Sequence, residues 1–417
     1  METVIIPWGA WYESEPRRLA FPDRYELFAP PVPGGPRLDD EAIRASLERP
    51  VGSPPLAELA RGRSSVAVAV DDLTRPTPAG RVLSWVLETL GEAGICPEDV
   101  SVVVALGAHR PLQRSDLLKK LGPDVVGQVA VFNHSPYDGL VDFGTTRRGT
   151  PIVINRWFAQ ADLKITVGAV LPHPTAGFGG GAKIVLPGLA SLEALEANHG
   201  PAVREVAGRV GQVEDNALRA DLEEGVAAVG VDFSINVVCP AAGEVAALVA
   251  GHPVEAHRVA CAEARELFTV PPPPGPVDIL CLNAYPKDTE FLQVVNAFNV
   301  WADRSQPLVA DGGTLVVLTA ASEGFGTHGL LGPGGRLYRP LAERAGFASL
   351  FEGRAVAVVC PNVTRRELEF VFPASTALFA DWPECLAFLE DRHPASARVA
   401  VYAASAMQML EAPEGDA

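Results

Sequence analysis

Short apolar runs, each followed by a polar loop and an amphipathic segment, set the pattern of this chain. The run SSVAVAV at 64–70 is β-branched and does not alternate, which is typical of a strand buried on both faces of a parallel sheet. The loop DDLTRPTP at 71–78 follows, and the segment at 78–94 has the apolar spacing of an amphipathic helix. The order of strand, loop and helix predicts an α/β fold.

This order recurs, and the strand ends carry polar motifs. Further strands are predicted at 100–107, 126–134, 150–159, 161–170 and 231–240. In parallel sheets, ligands bind outside the carboxyl ends of the strands, so the residues that follow each strand are candidates for function. Those positions carry DDLTRP, GAHRP and LPHP in turn.

A stiff proline segment, PPPPGP at 271–276, is the best candidate for a domain boundary. A second series of predicted strands and helices follows it. The fold class predicted is therefore α/β, with one α/β domain over residues 1–270 and another over 277–410, and with an active site in the crevice between them. The proline-rich first sixty residues are predicted to form a short strand near 4–6 and then a surface wrap.

Composition narrows the class of protein. Of the residues, 48% are hydrophobic and 20% are charged, which indicates a folded globular chain. The net charge of −17 disfavours nucleic acid as a partner, since affinity for phosphate backbones depends on Lys and Arg. No apolar run reaches the roughly 18 residues of a membrane span, and the start of the chain lacks the pattern of a secretory signal. Six scattered cysteines without a CxxC pair predict reduced thiols, a cytoplasmic location and no zinc site.

The stretch 171–200 concentrates chemistry in one short segment. It holds His173, the run Gly179, Gly180 and Gly181, then Lys183 and His199. Three glycines let the backbone approach a bulky group closely, and an amine beside them can neutralise a phosphate or bind a cofactor covalently. The spacing is not that of a Walker A loop, and single histidines are often structural. Local chemistry alone predicts a cofactor or anion site.

Other strand ends allow two interpretations. Asp72 and Thr74 are common in turns, but Arg75 and His109 at equivalent strand ends are harder to explain by turn chemistry. His134 fits either a strand-end cap or a phosphate contact. The remaining histidines are predicted to be superficial or structural: His252, His257, His328 and His393. The glycine-rich stretch 322–329 is predicted to be either a mobile loop at the domain crevice or simple turn chemistry.

Together these motifs resemble the nickel-pincer lactate racemase family along essentially the whole chain. The resemblance rests on DDLTRPTP, GAHRP, NH at 133–134, HPTAGFGGGAKIVLPG, NHG at 198–200 and YPKDTEFLQ at 285–293.

The resemblance implies a cofactor, its anchoring residues and its partners. Nickel would be held in a pincer nucleotide, pyridinium-3,5-bisthiocarboxylic acid mononucleotide, joined through a thioamide to Lys183. His199 matches the nickel ligand. The remaining implied cofactor contacts are Asp72, Thr74, Gly179, Gly180 and Gly181. Separate maturation enzymes would make the cofactor, and a 2-hydroxy acid anion would be the substrate.

The resemblance also implies the catalytic and substrate-binding groups. His109 and His173 match an acid and a base on opposite faces of the substrate, Arg75 matches an arginine that orients it, and Gln293 matches a polar substrate contact. Hydride removal at C2 is chemically preferable to proton abstraction, because a C2 hydrogen beside a carboxylate is barely acidic. This route needs one base for each face.

Two positions depart from the family pattern. Asn296 stands where lactate racemases have a lysine, and Ala108 stands where a threonine is common. An amide offers both donors and an acceptor, which suits a larger or sugar-derived 2-hydroxy acid better than lactate. The alternatives are a lactate racemase proper and a protein that binds the cofactor or another nucleotide without catalysis. An NAD-dependent dehydrogenase is disfavoured, because no GxGxxG follows a strand near the start of either domain.

Overall fold

The computed structural model describes residues 1–200, 208–240, 244–301 and 307–411. Its strands are β1 (Glu2–Trp8), β2 (Glu15–Phe21), β3 (Tyr25–Phe28), β4 (Val66–Asp71), β5 (Val100–Ala105), β6 (Ala130–Asn133), β7 (Leu140–Thr145), β8 (Pro151–Asn155), β9 (Leu163–Ala169), β10 (Pro172–His173), β11 (Gly177–Phe178), β12 (Phe233–Val238), β13 (Ala247–Gly251), β14 (Thr269–Val270), β15 (Val277–Asn283), β16 (Val309–Leu318), β17 (Ala355–Val359), β18 (Ala377–Phe379), β19 (Ala397–Tyr402) and β20 (Met409–Leu410). Its α-helices are α1 (Asp40–Glu48), α2 (Leu56–Ala60), α3 (Ala79–Glu92), α4 (Arg114–Gln128), α5 (Arg156–Ala159), α6 (Leu192–His199), α7 (Ala217–Val229), α8 (Glu255–Phe268), α9 (Ala345–Phe351), α10 (Arg365–Glu369) and α11 (Trp382–Arg392).

The chain divides into two compact units, which are described separately. The histidine unit comprises Gly35–Leu267 and His328–Leu330. The terminal unit comprises Met1–Gly34, Phe268–Thr327 and Leu331–Ala417.

The histidine unit is built on a six-stranded sheet in the order β13-β12-β9-β4-β5-β6. Its strands run parallel except β13, which pairs antiparallel with β12. Every residue of β4 is buried, as its continuous β-branched run predicts. Helix α3 buries the positions spaced by three and four residues that its sequence pattern indicated, from Ala79 to Leu90. The carboxyl ends of β4, β5 and β9 therefore meet at one edge of the sheet.

The terminal unit holds a second six-stranded parallel sheet, in the order β18-β17-β16-β15-β19-β3. Alternate residues of β15 pack into two different apolar clusters. Leu280 and Leu282 belong to one cluster, and Ile279 and Cys281 belong to the other. This alternation shows that both faces of the sheet are covered, since successive strand residues face opposite sides.

The prediction for the N-terminus was wrong in one respect. Residues 1–34 were predicted to lie in the first domain, 1–270, but they belong to the terminal unit, as does the predicted domain 277–410 apart from His328–Leu330. The physical reason is strand pairing: β3 adds to the sheet edge beside β19, with Tyr25 opposite Ala397. The Tyr25 hydroxyl also donates to the His393 carbonyl at 2.8 Å.

Local predictions also differ from the structure: the surface wrap predicted within the first sixty residues instead contains β2, β3, α1 and α2. The predicted strand at 150–159 stops at Asn155, whose side chain caps α5 by accepting from the Trp157 amide at 3.1 Å. Within the second predicted series of strands and helices, the segment Phe291–Trp301 forms tighter 3-10 turns instead of an α-helix. Among the described residues, no helix is long and apolar enough to cross a membrane.

Candidate active site

The loop after β4 is fixed by a buried ion pair. Asp71 lies 2.7 Å from the ammonium of Lys120, whose side chain is fully buried, and the same ammonium donates to the Arg75 carbonyl. Asp71 also accepts from the Ala169 amide at 2.8 Å, which joins the end of β4 to the end of β9. Lys120 was not predicted. Its signal was a charged residue in the buried stripe of an amphipathic helix.

In the same loop, two buried side chains, Asp72 and Thr74, hold the partly exposed Arg75. The Asp72 carboxylate accepts from the Thr74 amide at 3.0 Å and from its hydroxyl at 2.6 Å. Arg75 in turn donates to the Thr74 hydroxyl at 2.5 Å and lies 4.0 Å from Asp72. Its side chain remains 29% exposed, so a planar guanidinium is held in place while still accessible to an anion.

His109 follows β5 and meets the same carboxylate. Its Nδ1 lies 3.8 Å from Asp72 Oδ2, and its side chain is 12% exposed. Its backbone amide donates to the Leu106 carbonyl at 2.9 Å, which shapes the turn after the strand. A carboxylate at this distance stabilises a protonated imidazole, because opposite charges attract more strongly in a partly desolvated site.

His173 lies in the short hairpin of β10 and β11. Its Nδ1 accepts from the amides of Thr175 at 3.3 Å and Ala176 at 3.2 Å, so the neutral ring carries its proton on Nε2. Burial lowers the pKa of His173 well below its usual value, and the neighbouring charges of Lys183, Arg75, His199 and Arg219 lower it further. The structure therefore gathers these predicted residues around a histidine that is neutral at pH 7.

The three glycines have a structural role. Gly180 and Gly181 have φ angles of +68° and +54°. A Cβ on Gly181 would lie 2.6 Å from the ring of His257, and one on Gly180 would lie 3.0 Å from the Ala169 carbonyl. Close packing thus requires glycine here, and cofactor contact by these residues remains a prediction.

Buried polar side chains that sequence reasoning missed hold this loop. Arg219, on α7, is fully buried and donates to the carbonyls of Ala176 and Phe178. Asn236 accepts from the Gly181 amide at 3.1 Å. His257 was predicted to be superficial or structural; it is 1% exposed, and its Nε2 bonds to the Gly179 carbonyl at 2.8 Å. As with Lys120, the signal for Arg219 was a charge within a buried helical stripe.

Lys183 lies in the 3-10 turn Gly181–Ile184 and is partly buried. Burial lowers the pKa of its amine to about 7, and the positive charges of Arg219 and Arg75 contribute. A large fraction of this amine is therefore neutral at pH 7, in contrast to an ordinary lysine. A neutral amine is nucleophilic and can form a covalent bond with a carbonyl-type group.

His199 is the last residue of α6, which Ser191 caps by accepting from the Ala194 amide. Its Nδ1 lies 2.9 Å from the Leu195 carbonyl, so Nδ1 carries the proton and Nε2 the lone pair. This arrangement is usual for a histidine that binds a metal. No cluster of three or more His, Cys, Asp or Glu suited to a metal occurs within the described ranges.

His134 is structural. Its Nε2 bonds to the Ala190 carbonyl at 2.9 Å, and the Asn155 amide lies 3.4 Å from Nδ1. Burial lowers the pKa of His134 to about 4. Both ring nitrogens are thus used within the protein, which favours the strand-end interpretation over a phosphate contact.

His328 was predicted to be superficial or structural, and the structure places it beside the site. Its ring centroid lies 4.8 Å from that of His109, with the two rings at 64°. Burial lowers the pKa of His328 well below its usual value, with a further contribution from His109.

The two predicted substrate residues of the second domain lie together in the terminal unit. Gln293 is 8% exposed, and the Asn296 amide donates to its backbone carbonyl at 2.8 Å and lies 3.3 Å from its side-chain oxygen. This contact fixes the Asn296 side chain against the preceding turn. Their roles toward a substrate remain predictions.

Fold and site together define an α/β enzyme with imidazole, guanidinium and amine groups at the carboxyl edge of a parallel sheet. Residues 12–211 match the family model described as the lactate racemase N-terminal domain. The lactate racemase of Lactiplantibacillus plantarum is 32% identical over 295 residues, covering 70% of this chain and 68% of that protein. The chain belongs to the lactate racemase family.

Other relatives agree with this assignment. The lactate racemase of Thermoanaerobacterium thermosaccharolyticum is 28% identical over 294 residues, with 70% of this chain and 68% of that protein covered. A solved structure, the lactate racemase apoprotein of that organism, superposes with a TM-score of 0.78 at 22% identity, over 99% of this chain and 100% of that one. A Thermotoga maritima protein superposes with a TM-score of 0.66 at 19% identity, over 91% and 100% of the two chains. At these identities the two structures show the shared α/β fold.

Proposed function

We propose that this chain is a racemase or epimerase that inverts C2 of a 2-hydroxy acid by reversible hydride transfer, using a nickel-pincer nucleotide attached to Lys183. The observation that carries the proposal is the gathering of an arginine, two histidines and a lysine of lowered pKa in the histidine unit. A protein that only binds a nucleotide would need the lysine and the cationic groups, but not the two differently held histidines.

The protein groups fit the cofactor. Lys183 would carry the covalent bond, since its pKa of about 7 leaves much of the amine unprotonated. His199 would ligate nickel through Nε2, and soft sulfur and carbon donors with one imidazole suit a square-planar nickel ion. When bound, the cofactor would supply an electron-poor ring for hydride. Arg75 and the fully buried Arg219 contribute positive charge for an anionic ligand.

The protein's own groups account for substrate binding and proton transfer. Arg75 would bind the carboxylate of the substrate through its planar fork. Loss of hydride from C2 and of the hydroxyl proton leaves a planar 2-keto acid. Return of the hydride to the opposite face of C2, with return of a proton to the oxygen, gives the epimer. His109 is suited to accept the hydroxyl proton, because Asp72 stabilises its imidazolium.

His173 would serve the opposite face. In the structure its Nε2–H can donate to a substrate oxygen, while Nδ1 is held by the amides of Thr175 and Ala176. Reversal of the reaction exchanges the proton-transfer roles, so protonation of His173 would require Nδ1 to release these two amides. The two histidines are therefore unequal, although both act in the cycle.

The proposed substrate is a 2-hydroxy acid larger than lactate or derived from a sugar. The Asn296 amide nitrogen donates to the Gln293 backbone carbonyl at 2.8 Å and lies 3.3 Å from the Gln293 side-chain oxygen, which orients the Asn296 side chain. Its side-chain oxygen would then accept from a substrate hydroxyl, whereas a lysine at this position would offer donors and a positive charge but no acceptor. The proposed partners are this acid and the enzymes that make the cofactor; neither nucleic acid nor a membrane is proposed.

The test is a panel of single-enantiomer 2-hydroxy acids, from lactate and malate to gluconate, incubated with protein co-produced with cofactor-maturation enzymes. Chiral chromatography should detect an epimer of at least one acid, and intact mass should show an adduct that Lys183→Ala lacks. Adduct and nickel without any epimer would favour a binding protein. Epimer from lactate alone would support a lactate racemase proper.

A further inference from the structure

Three residues from late in the chain, His328–Leu330, belong to the histidine unit, although the residues on both sides of them belong to the terminal unit. The Gly329 amide donates to the Ala108 carbonyl at 2.8 Å, and His328 and His109 form an isolated antiparallel bridge. This segment is therefore attached through its backbone to the turn that carries His109.

The residues at the contact are small. A Cβ built on Gly329 would lie 3.6 Å from the Ala108 carbonyl and 3.8 Å from its Cβ, which is ordinary van der Waals contact. With Ala at 108 and Gly at 329, the two backbones can approach to hydrogen-bonding distance. The close approach places the His328 side chain against His109 instead of in solvent.

A hydrogen bond holds the neutral His328 ring in one tautomer. Its Nδ1 accepts from the Leu330 amide at 3.2 Å, so the neutral ring carries its proton on Nε2. It packs against His109 in a tilted, edge-type geometry with centroids 4.8 Å apart. Asp72 Oδ2 also lies 3.8 Å from His109 Nδ1. The His109 ring thus has a carboxylate and a fixed aromatic ring as neighbours.

We propose that His328 is a positioning residue that holds the His109 imidazole in the orientation that directs Nδ1 to Asp72. The role rests on the proposed function, in which His109 accepts the hydroxyl proton. The χ2 torsion of histidine is broad, so a 3.8 Å approach to one carboxylate does not define the ring plane alone. The edge of His328 restricts that rotation, and misplacement of a catalytic group by about 1 Å can cost roughly a hundredfold in rate.

The docking of the segment can be tested in the apoprotein by a disulfide. Cβ atoms about 3.8 Å apart are at the usual separation for a disulfide, so Ala108→Cys combined with Gly329→Cys should oxidise to an internal bridge. The exposed Tyr137 hydroxyl, 3.2 Å from the new Cβ, can move aside. Mass spectrometry of peptides should find the bridge in the double variant and not in either single variant. Absence of the bridge under oxidising conditions would overturn the docking.

Two substitutions of His328 distinguish the effect of its aromatic ring from the effect of the hydrogen bond that its Nδ1 accepts in the turn. His328→Asn keeps an acceptor for the Leu330 amide but removes the ring, whereas His328→Phe keeps a ring and loses the acceptor. Turnover by the loaded enzyme should fall about tenfold to a hundredfold in the Asn variant, with KM within about twofold, and should stay within about threefold of the parent in the Phe variant. His252→Asn is the matched control, because His252 Nδ1 accepts from the Val254 amide in the same kind of turn.

A measurement without cofactor separates this proposal from the proposed function. Ring ¹⁵N spectra of the apoprotein should show one fixed His109 tautomer in the parent and the Phe variant, and an averaged signal in the Asn variant. Identical spectra in all three, or equal loss of turnover in both variants, would overturn the positioning role. The spectra remain decisive even if no 2-hydroxy acid is epimerised.

Discussion

The two parallel sheets of this chain share an architecture and differ in the chemistry at their carboxyl edges. In the histidine unit the residues after the strands include Arg75, His109, His173 and Lys183. In the terminal unit they include Asp288, which is fully buried, accepts from the Gly9 amide at 3.1 Å and has its pKa raised to about 7 by burial. One edge thus offers bases and cations, and the other offers a carboxyl group and the amides of Gln293 and Asn296.

This difference shows that the fold provides the place for a site, at the carboxyl edge of a parallel sheet, and that the side chains there determine its chemistry. Both sheets bring polar groups to the same kind of position, but the described residues differ: the histidine unit combines imidazoles, a guanidinium and a lysine amine with a lowered pKa, whereas the terminal unit has the Asp288 carboxyl group, whose pKa is raised to about 7. We therefore expect substitutions in the histidine unit to abolish activity, and substitutions in the terminal unit to alter substrate preference.

The largest effect should come from Lys183→Ala in the histidine unit. Loss of the amine should abolish the covalent adduct and all racemisation, since no other group is placed to replace it in the proposed scheme. Intact mass and chiral chromatography would measure both losses. Lys164→Ala, at the start of β9, is the control and should keep the adduct. An adduct that survives in Lys183→Ala would remove Lys183 from its role.

Replacing either predicted acid–base histidine should have the next largest effect. Loss of general acid–base catalysis usually costs about 10²–10⁴-fold, so His109→Gln and His173→Gln should each lower turnover by that amount while the adduct and nickel content stay unchanged. His252→Gln, a change at an exposed histidine, should be neutral. Full activity in either active-site variant would contradict the scheme with one base on each face.

The reactivity of Lys183 should distinguish it from exposed lysines. Its pKa is lowered to about 7, so the amine becomes neutral as pH rises through that value. Acylation of Lys183 in the apoprotein should therefore rise with a midpoint near pH 7, while the exposed Lys119 serves as an internal reference. Peptide mass spectrometry across pH 5–11 would measure it. A midpoint near pH 10 would contradict the burial-based shift.

The smallest effect should come from the terminal unit. Asn296→Lys should raise the preference for lactate over larger acids by about tenfold, because an added cation favours a carboxylate and removes an amide that could read a hydroxyl. The ratio of kcat/KM values for lactate and gluconate would report it. Asn362→Lys, in the same unit, is a charge-matched control. An unchanged ratio would mean that other residues determine the substrate preference.

The strands and their loops could be predicted from sequence because β-branched runs are local signals. The β4 run and the following DDLTRP motif needed no tertiary information. By contrast, the assignment of residues 1–34 depended on the pairing of β3 with β19, which joins segments about 370 residues apart in sequence. Periodicity does not encode such pairing.

The residues of the candidate site also divide into those that local sequence indicates and those that only tertiary contacts reveal. Lys183 and His199 could be proposed as site residues from sequence because a motif surrounds each of them, and their roles stay predictions. Arg219 and Lys120 were missed since each occupies a buried helical stripe where an apolar residue is expected, and their partners are backbone carbonyls or a carboxylate from other elements. His328 was missed because its neighbour, His109, lies more than two hundred residues earlier in the chain. Tertiary packing, not local sequence, creates these contacts.

The most direct test of the central claim is the fate of a C2 deuterium. A single-enantiomer 2-hydroxy acid deuterated at C2 would be incubated with loaded protein in ordinary water, and the epimer would be analysed by proton NMR and mass spectrometry. Reversible hydride transfer predicts an epimer that retains the deuterium. An epimer that has exchanged its deuterium for hydrogen from water would show proton abstraction at C2 and would contradict the account.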